Sequence, residues 1–179
     1  HPRMVMPESE AESGKFNEII AMLKILVAEN HKILLFSSFV KHLKLLSARF
    51  DKENWGYSLL TGATVDRKEV IDDFQSNPTK NIFLISLKAG GVGLNLTSAD
   101  YIFIVDPWWN PAAEMQAVSR AHRIGQEKKV FVYRFISEET IEEKILLLKE
   151  RKSALASEFI NSENPLKYVT QDEVMKLFE

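Results

Sequence analysis

The sequence predicts an α/β protein in which a parallel β-sheet is flanked by helices. Five short apolar runs are mostly continuous and rich in Ile, Val, Phe and Tyr, which is typical of strands buried on both faces. Segments with a helical apolar period lie between them, and this alternation indicates a parallel sheet. The predicted strands are Lys32–Ser37, Tyr57–Leu60, Asn81–Ser86, Tyr101–Val105 and Val130–Phe135.

The helices are predicted from apolar stripes and from residues that can cap a helix at its start. They cover residues 16–27, 39–50, 65–74, 112–122 and 137–159, and a short segment after Thr170. The side chains of Ser13, Thr64, Asn110 and Ser137 can each accept a hydrogen bond from the first helical turn. Pro111 suits a first helical position, and Thr170 with Glu173 fits a capping box.

Composition excludes several classes of protein. The chain has 179 residues, of which 45% are hydrophobic and 27% charged, so it is not a disordered chain. It has no Cys, which rules out disulfides and thiolate zinc sites, and its four His are scattered without metal-ligand spacing. No apolar run approaches the roughly 18 residues of a membrane span. Because the chain begins with His1, we expect it to be cut from a longer protein.

The net charge of −2 does not indicate a globally basic nucleic-acid binder, but the charge is segregated. Residues 31–50 contain four Lys or Arg and no acid, and residues 115–134 contain five against Glu127 alone. A local basic face is one interpretation of this pattern. Solvated helices with clustered charge are an equally good one.

Candidate ligand-binding residues follow the strands, because ligands of open parallel sheets bind beyond the carboxyl ends of the strands. Backbone N–H groups, hydroxyls and cations in such turns can contact a phosphate. The candidates are Ser37 and Ser38, Thr61 and Gly62, residues 86–95 with Lys88, and residues 106–111.

The glycine-rich stretch after the third strand matches a dinucleotide-binding fingerprint only in part. Gly91 and Gly93 fit, but Leu96 stands at the third glycine position, which disfavours an NAD-dependent enzyme. A tight turn is the simplest alternative, while the neighbouring Lys88 favours an anion contact. The chain also contains no G-x-x-x-x-G-K-[ST] motif, so it lacks the phosphate cradle of a self-sufficient P-loop enzyme.

The most informative string is QAVSRAHRIGQ, residues 116–126. Gln116, Arg120 and Arg123 have the spacing that places them on one face of a helix. Basic residues near a helix C-terminus can simply complement its dipole, but this does not explain a Gln and two Arg on one stripe. Two guanidinium groups projected together suit a polyphosphate. Trp108 and Trp109 precede this string. They either pack inside the protein or contact a nucleic acid or another domain.

These strings together resemble a known family. KILLFSSF, LLTGAT, FLISLKAGGVGLNLTSADYIFIVDPWWNP and QAVSRAHRIGQ look like the second RecA-like lobe of a superfamily-two ATPase, and more narrowly of SNF-type (SWI/SNF-like) DNA translocases. The resemblance extends to the helix after Ser137, and Ser119 stands where the family often has Asp. The short segment after residue 160 leads us to expect a compact prokaryotic member.

The resemblance implies roles for individual residues. Arg120 and Arg123 would be arginine fingers that reach ATP, with Mg²⁺ and most nucleotide contacts held by an absent first lobe. Gln116, Gly91 and Gly93 would shape the nucleotide site. The residues expected to face the DNA backbone are Ser37, Ser38, Thr61, Gly62, Arg67, Lys88 and Trp109. The implied fold is a RecA-like parallel sheet with helices on both faces and a C-terminal helical extension.

The resemblance also implies domains and partners. A flexible lead-in (1–12) would precede lobe two (13–136), followed by a brace-like helix and a short terminal helix (137–179). The expected partners are the first lobe of the same protein, double-stranded DNA and a protein substrate on DNA, with no membrane. The protein would be nucleoid-associated in a prokaryote and nuclear in a eukaryote. The isolated chain should be inactive, and the alternative is a non-catalytic DNA- or protein-binding module that retains the fold.

Overall fold

The computed structural model describes residues 13–89, 96–106, 108, 114–115, 118–119 and 128–161, with side chains to residue 152. Its sheet has five strands, all parallel, in the order β2-β3-β1-β4-β5. The strands are β1 (Ile33–Ser37), β2 (Gly56–Leu60), β3 (Lys80–Ser86), β4 (Tyr101–Ile104) and β5 (Phe131–Arg134). All five predicted strands are confirmed to within one residue at each end.

The described helices are α1 (Gly14–Ala28), α2 (Val40–Glu53), α3 (Arg67–Ser76) and α4 (Ile141–Asn161). The predicted cap of α1 is confirmed, because the Ser13 hydroxyl accepts a hydrogen bond from the Phe16 N–H at 3.3 Å. Glu114, Met115 and Val118 are helical, in agreement with the predicted helix over 112–122. Its proposed start at Asn110 and Pro111, and the capping box at Thr170 and Glu173, lie outside the described residues.

Two predicted caps are wrong. α3 begins after Asp66, whose carboxylate accepts the Glu69 N–H at 3.0 Å, whereas the Thr64 hydroxyl accepts the Thr61 N–H within the preceding turn. α4 begins at Ile141 rather than after Ser137, and the Thr140 hydroxyl accepts the Glu142 N–H at 3.2 Å. In both places several capping residues stand close together, and the helix starts at the later one.

Two hydrophobic cores lie on opposite faces of the sheet. Alternate residues of β1 face opposite sides, as pleated strands require, so Ile33 and Leu35 pack with α1 and α2 while Leu34 and Phe36 pack with α3. β1, β3 and most of β4 are therefore buried on both faces. This arrangement confirms the predicted parallel sheet with helices on both sides. No helix in the described ranges is long and apolar enough to cross a membrane.

Candidate functional site at the carboxyl edge of the sheet

The turns that follow the strands meet at one edge of the sheet, because all strands are parallel. Ser37 at the end of β1 is in register with Ser86 at the end of β3, and the Leu87 N–H donates to the Ser37 carbonyl at 3.0 Å. On the other side of β1, the Val105 N–H donates to the Phe36 carbonyl at 3.0 Å. The site segments after β1 and β3 are thus joined by a backbone hydrogen bond, and the residue before the segment at 106–111 is joined to β1.

The turn after β1 is anchored by Asp106. The chain leaves β1 toward β2 and leaves β4 toward β5, in opposite directions, so these two strands flank the topological switch point of the sheet, the place where α/β proteins commonly bind ligands. Asp106 is 6% exposed, and its carboxylate accepts hydrogen bonds from the Ser37 hydroxyl and, at 3.2 Å, from the Ser38 N–H. The turn after β1 is therefore fixed to a buried carboxylate beside the switch point.

Two further polar side chains lie near this carboxylate. His42 is 3% exposed, and its Nδ1 lies 3.5 Å from Asp106 Oδ1. Lys15 Nζ donates to the carbonyl of the adjacent Val105 at 3.0 Å. Burial raises the pKa of the Asp106 carboxyl, but the contacts with His42 and Ser37 oppose burial and bring the pKa below its ordinary value. Asp106 is thus held ionised in a largely dry environment.

Asp106 also changes what Ser37 and Ser38 can do. The Ser37 side chain is fully buried, and its hydroxyl is bonded inside the protein. The Ser38 N–H is directed at Asp106, so it is not free for a phosphate, whereas the Ser38 residue itself is half-buried at the surface. The sequence pattern did not single out Asp106, although an acid directly after a buried strand was an available signal.

The turn after β2 is self-contained and exposed. The Thr61 N–H donates to the Thr64 hydroxyl at 3.0 Å, and the Ala63 N–H donates to the Thr61 hydroxyl at 3.3 Å. Gly62 is exposed with open space around it, and Val65 is 99% exposed. This turn therefore presents an apolar side chain and a bare backbone to solvent.

Two predicted phosphate contacts stand beside these turns. Arg67 is the first residue of α3 and is half-buried. Lys88 is exposed between the buried Leu87 and Ala89, so its ammonium group extends from the carboxyl edge into solvent. Both positions allow contact with a polyanion, and both contacts remain predictions.

The remaining predicted site residues are Gly91, Gly93, Trp109, Gln116, Arg120 and Arg123, and all six lie outside the described residues. Glu114, however, precedes the 116–126 string by two positions and is described. It is 7% exposed and accepts hydrogen bonds from Arg134 Nε and, at 2.8 Å, from Lys149 Nζ. Because Arg134 ends β5, Glu114 lies at the carboxyl edge of the sheet.

The sequence pattern did not single out Glu114 either. Burial raises the pKa of its carboxyl, but hydrogen bonds from Lys149 and Arg134 oppose burial and bring the pKa below its ordinary value. Its partners lie 20 and 35 positions away in the chain, so no local pattern marked it. Within the described ranges, no group of three or more His, Cys, Asp or Glu is placed to hold a metal ion.

The fold and this edge define a class of protein. A crystal structure of the C-terminal part of the Fun30 ATPase domain matches with a TM-score of 0.73 and 38% identity, covering 76% of this chain and 45% of that chain. The predicted RecA-like fold is thereby confirmed. Residues 14–125 match the model of the helicase conserved C-terminal domain, and the chain belongs to this family.

Curated relatives place the chain among SNF2-type proteins, in agreement with the resemblance found in the sequence. DNA repair protein rad8 of Schizosaccharomyces pombe is 38% identical over 94% of this chain, and chromatin-remodeling ATPase INO80 of Arabidopsis thaliana is 41% identical over 80%. The chain spans only 15% and 10% of their lengths. Both relatives are eukaryotic, so the expected prokaryotic origin is not supported.

Proposed function

We propose that this chain is the second lobe of an ATP-driven double-stranded DNA translocase and supplies Arg120 and Arg123 to ATP held on a first lobe. The observation that carries the proposal is the place of Glu114. Glu114 contacts Arg134 at the end of β5, at the edge that also bears Ser38, Gly62 and Lys88. We infer that the 116–126 string, which begins two positions later, faces this edge as well. One edge would then serve both the nucleotide and the DNA.

The chemical role of the two arginines follows from phosphoryl transfer. Negative charge builds on the transferred phosphoryl group and leaving oxygen in the transition state, and a guanidinium group stabilises it. We assign Mg²⁺ and most ATP contacts to the first lobe, and we assign Gln116, Gly91 and Gly93 to shaping the site on this lobe. ATP would favour the closed arrangement of the two lobes, because only there do the fingers reach the phosphates.

The DNA contacts are proposed for the exposed part of the edge. Lys88 and Arg67 can neutralise phosphates, and the open turn at Thr61 and Gly62 lets a backbone approach closely. Ser38 and Trp109 are the further candidates, whereas a contact from Ser37 would require its buried hydroxyl to leave Asp106. Contacts to the phosphate backbone carry no base sequence, so translocation should tolerate any sequence.

The wider assignments follow from the same proposal. Residues 13–136 would form lobe two and residues 137–179 a brace-like extension after a lead-in of residues 1–12. The full-length protein would act in the nucleus on DNA and on a protein bound to it. The names of the rad8 and INO80 relatives give DNA repair and chromatin remodelling as the roles of those proteins.

The test uses the full-length protein and measures ATP hydrolysis with and without duplex DNA. We expect DNA to stimulate turnover and Arg123→Ala to lower kcat by about 10³-fold or more, the usual effect of losing an arginine finger. Arg151→Ala on the exposed surface of α4 is the matched control and should leave turnover unchanged. A non-catalytic binding module would instead bind DNA without hydrolysis, and retention of most activity by Arg123→Ala would refute the finger assignment.

A further inference from the structure

The first turn of α1 contains a lysine whose side chain is buried. Lys15 is the second residue of this helix. The first turn carries the positive end of the helix dipole, so a cation there is unfavourable by itself. The Lys15 side chain is nevertheless only 8% exposed. Contacts with other elements therefore offset this cost.

The ammonium group of Lys15 joins the start of α4 to the end of β4. Its Nζ donates to the Val105 carbonyl at 3.0 Å and pairs with the Glu142 carboxylate. Glu142 lies in the first turn of α4, and its carboxylate also accepts the Ser137 N–H at 2.9 Å. One group thus connects α4, and the connection that leads to it, with the residue before Asp106.

Asp106 extends this connection to the turn formed by residues 37–39. Its carboxylate accepts the Ser38 N–H at 3.2 Å and the Ser37 hydroxyl, and the Ser37 hydroxyl in turn accepts the Phe39 N–H at 3.1 Å. Phe39 is 53% exposed, and Ser38 is half-buried at the surface. The surface residues of this turn therefore depend on where Asp106 lies.

Phe16, the next residue of α1, supports the same carboxylate by a separate contact. Its ring stacks on His42 with a centroid distance of 6.3 Å, and His42 Nδ1 lies 3.5 Å from Asp106 Oδ1. Burial raises the pKa of the Asp106 carboxyl, whereas the contacts with His42 and Ser37 and the charge of Lys15 lower it. Two consecutive residues of α1 thus hold this carboxylate.

We propose that Lys15 is a positioning residue that couples α4 to the turn of residues 37–39, acting through Val105 and Asp106. This inference rests on the proposed function, in which Ser38 contacts DNA. Every contact of the route lies in the part of the chain that the structure describes. Because such coupling is reciprocal, DNA bound at the turn would also strengthen the attachment of α4 to α1.

The experiment compares Lys15→Met with Lys24→Met in the full-length protein. Both substitutions remove a lysine from α1, but Lys24 is exposed. We expect Lys15→Met to raise the duplex DNA concentration that gives half-maximal ATP hydrolysis about 10-fold. The KM for ATP and the kcat at saturating DNA should change less than about twofold, and Lys24→Met should match wild type.

A conservative variant separates positioning from a general loss of packing. Lys15→Arg should restore most of the DNA dependence, because a guanidinium group can donate to Val105 and pair with Glu142. An equal DNA dependence in the two methionine variants would overturn the positioning role.

The part played by α4 is tested with Glu142→Gln. This change should raise the half-maximal DNA concentration as Lys15→Met does, and the double variant should be no weaker than Lys15→Met alone. Residues that act through one contact give such non-additive effects. Fully additive shifts would show that Glu142 acts independently of Lys15 and would overturn the coupling.

Amide hydrogen exchange tests the same contacts without DNA. Peptides covering residues 37–43 and 137–143 should exchange faster in Lys15→Met than in Lys24→Met, because the carboxylates that hold their N–H groups lose support. Equal exchange in either peptide would overturn the coupling. If wild type shows no DNA-stimulated hydrolysis, the proposed function fails, and hydrogen exchange still decides separately whether Lys15 joins α4 to this turn.

Discussion

The turn after β1 and the turn after β2 lie at the same edge of the sheet but are held in different ways. The first is bound to the buried carboxylate of Asp106, which follows β4 and lies 69 positions after Ser37 in the chain. The second is closed by hydrogen bonds among Thr61, Ala63 and Thr64 and exposes Val65 almost completely. The comparison indicates that one turn is held by a distant part of the domain and that the other depends on its own hydrogen bonds and faces solvent.

The largest effect is expected at the fixed turn. Asp106→Ala removes the acceptor of the Ser37 hydroxyl and the Ser38 N–H and should lower the free energy of unfolding by about 3 kcal/mol. Asp72→Ala, at an exposed position of α3, is the control and should change it by less than about 0.5 kcal/mol. Urea denaturation measures both, and similar values for the two variants would contradict the anchoring role.

Acid should weaken the fixed turn. The folded-state pKa of Asp106 is below its ordinary value, so the unfolded chain takes up the proton at higher pH than the folded chain does. The resulting stability is present above about pH 4 and is lost as pH falls through the folded-state pKa. In urea denaturation as a function of pH, Asp106→Asn should lose less stability on acidification than wild type.

The pKa of the Glu114 carboxyl is also below its ordinary value, so Glu114 supplies a second part of the dependence of stability on acid. Asp106→Asn combined with Glu114→Gln should therefore flatten the profile below about pH 4 further than either change alone. A profile in the double variant as steep as that of wild type would show that other carboxylates govern acid unfolding.

A smaller effect is expected where the open turn meets α3. Asp66→Ala removes the cap from the Glu69 N–H and should cost about 1 kcal/mol of unfolding free energy. Thr64→Ala should cost less, about 0.5 kcal/mol, because the hydroxyl serves only a half-exposed turn. The reverse order in urea denaturation would mean that Thr64 is the functional cap.

The smallest effect on stability is expected at Lys88, where substitution should instead change the binding of DNA. Lys88→Gln should leave the unfolding free energy within about 0.5 kcal/mol of wild type. In the full-length protein it should reduce the slope of log affinity for duplex DNA against log salt by about 0.9, the value for one phosphate contact. Lys52→Gln, in the last turn of α2, is the exposed control. An unchanged slope would remove Lys88 from the DNA face.

The sheet was predictable from sequence because its signal is local. Strands such as 33–37 and 80–86 are buried on both faces, so continuous apolar runs marked them directly. The starts of α3 and α4 were not predictable in this way, because two residues near each start can cap a helix. They are Thr64 and Asp66 before α3, and Ser137 and Thr140 before α4. Packing of the whole domain selects between such neighbours.

The candidate site was predictable only in outline. The sequence placed Ser38, Gly62 and Lys88 at one edge, because parallel strands end together. It did not reveal Asp106 or Glu114 as central residues, since their importance depends on partners such as Ser37 and Lys149 that are distant in the chain. Buried carboxylates with distant partners leave no periodic pattern.

The strand order has a consequence for folding during synthesis. β1 pairs with β3 and β4 but not with β2, so residues 33–37 have no strand partner until residues 80–86 have left the ribosome. At about 5–20 residues per second, the nascent chain passes several seconds with an apolar strand unpaired. Nascent chains that end near Leu60 should consequently need chaperones, whereas chains that extend past Ile104 can already enclose β1 on both sides.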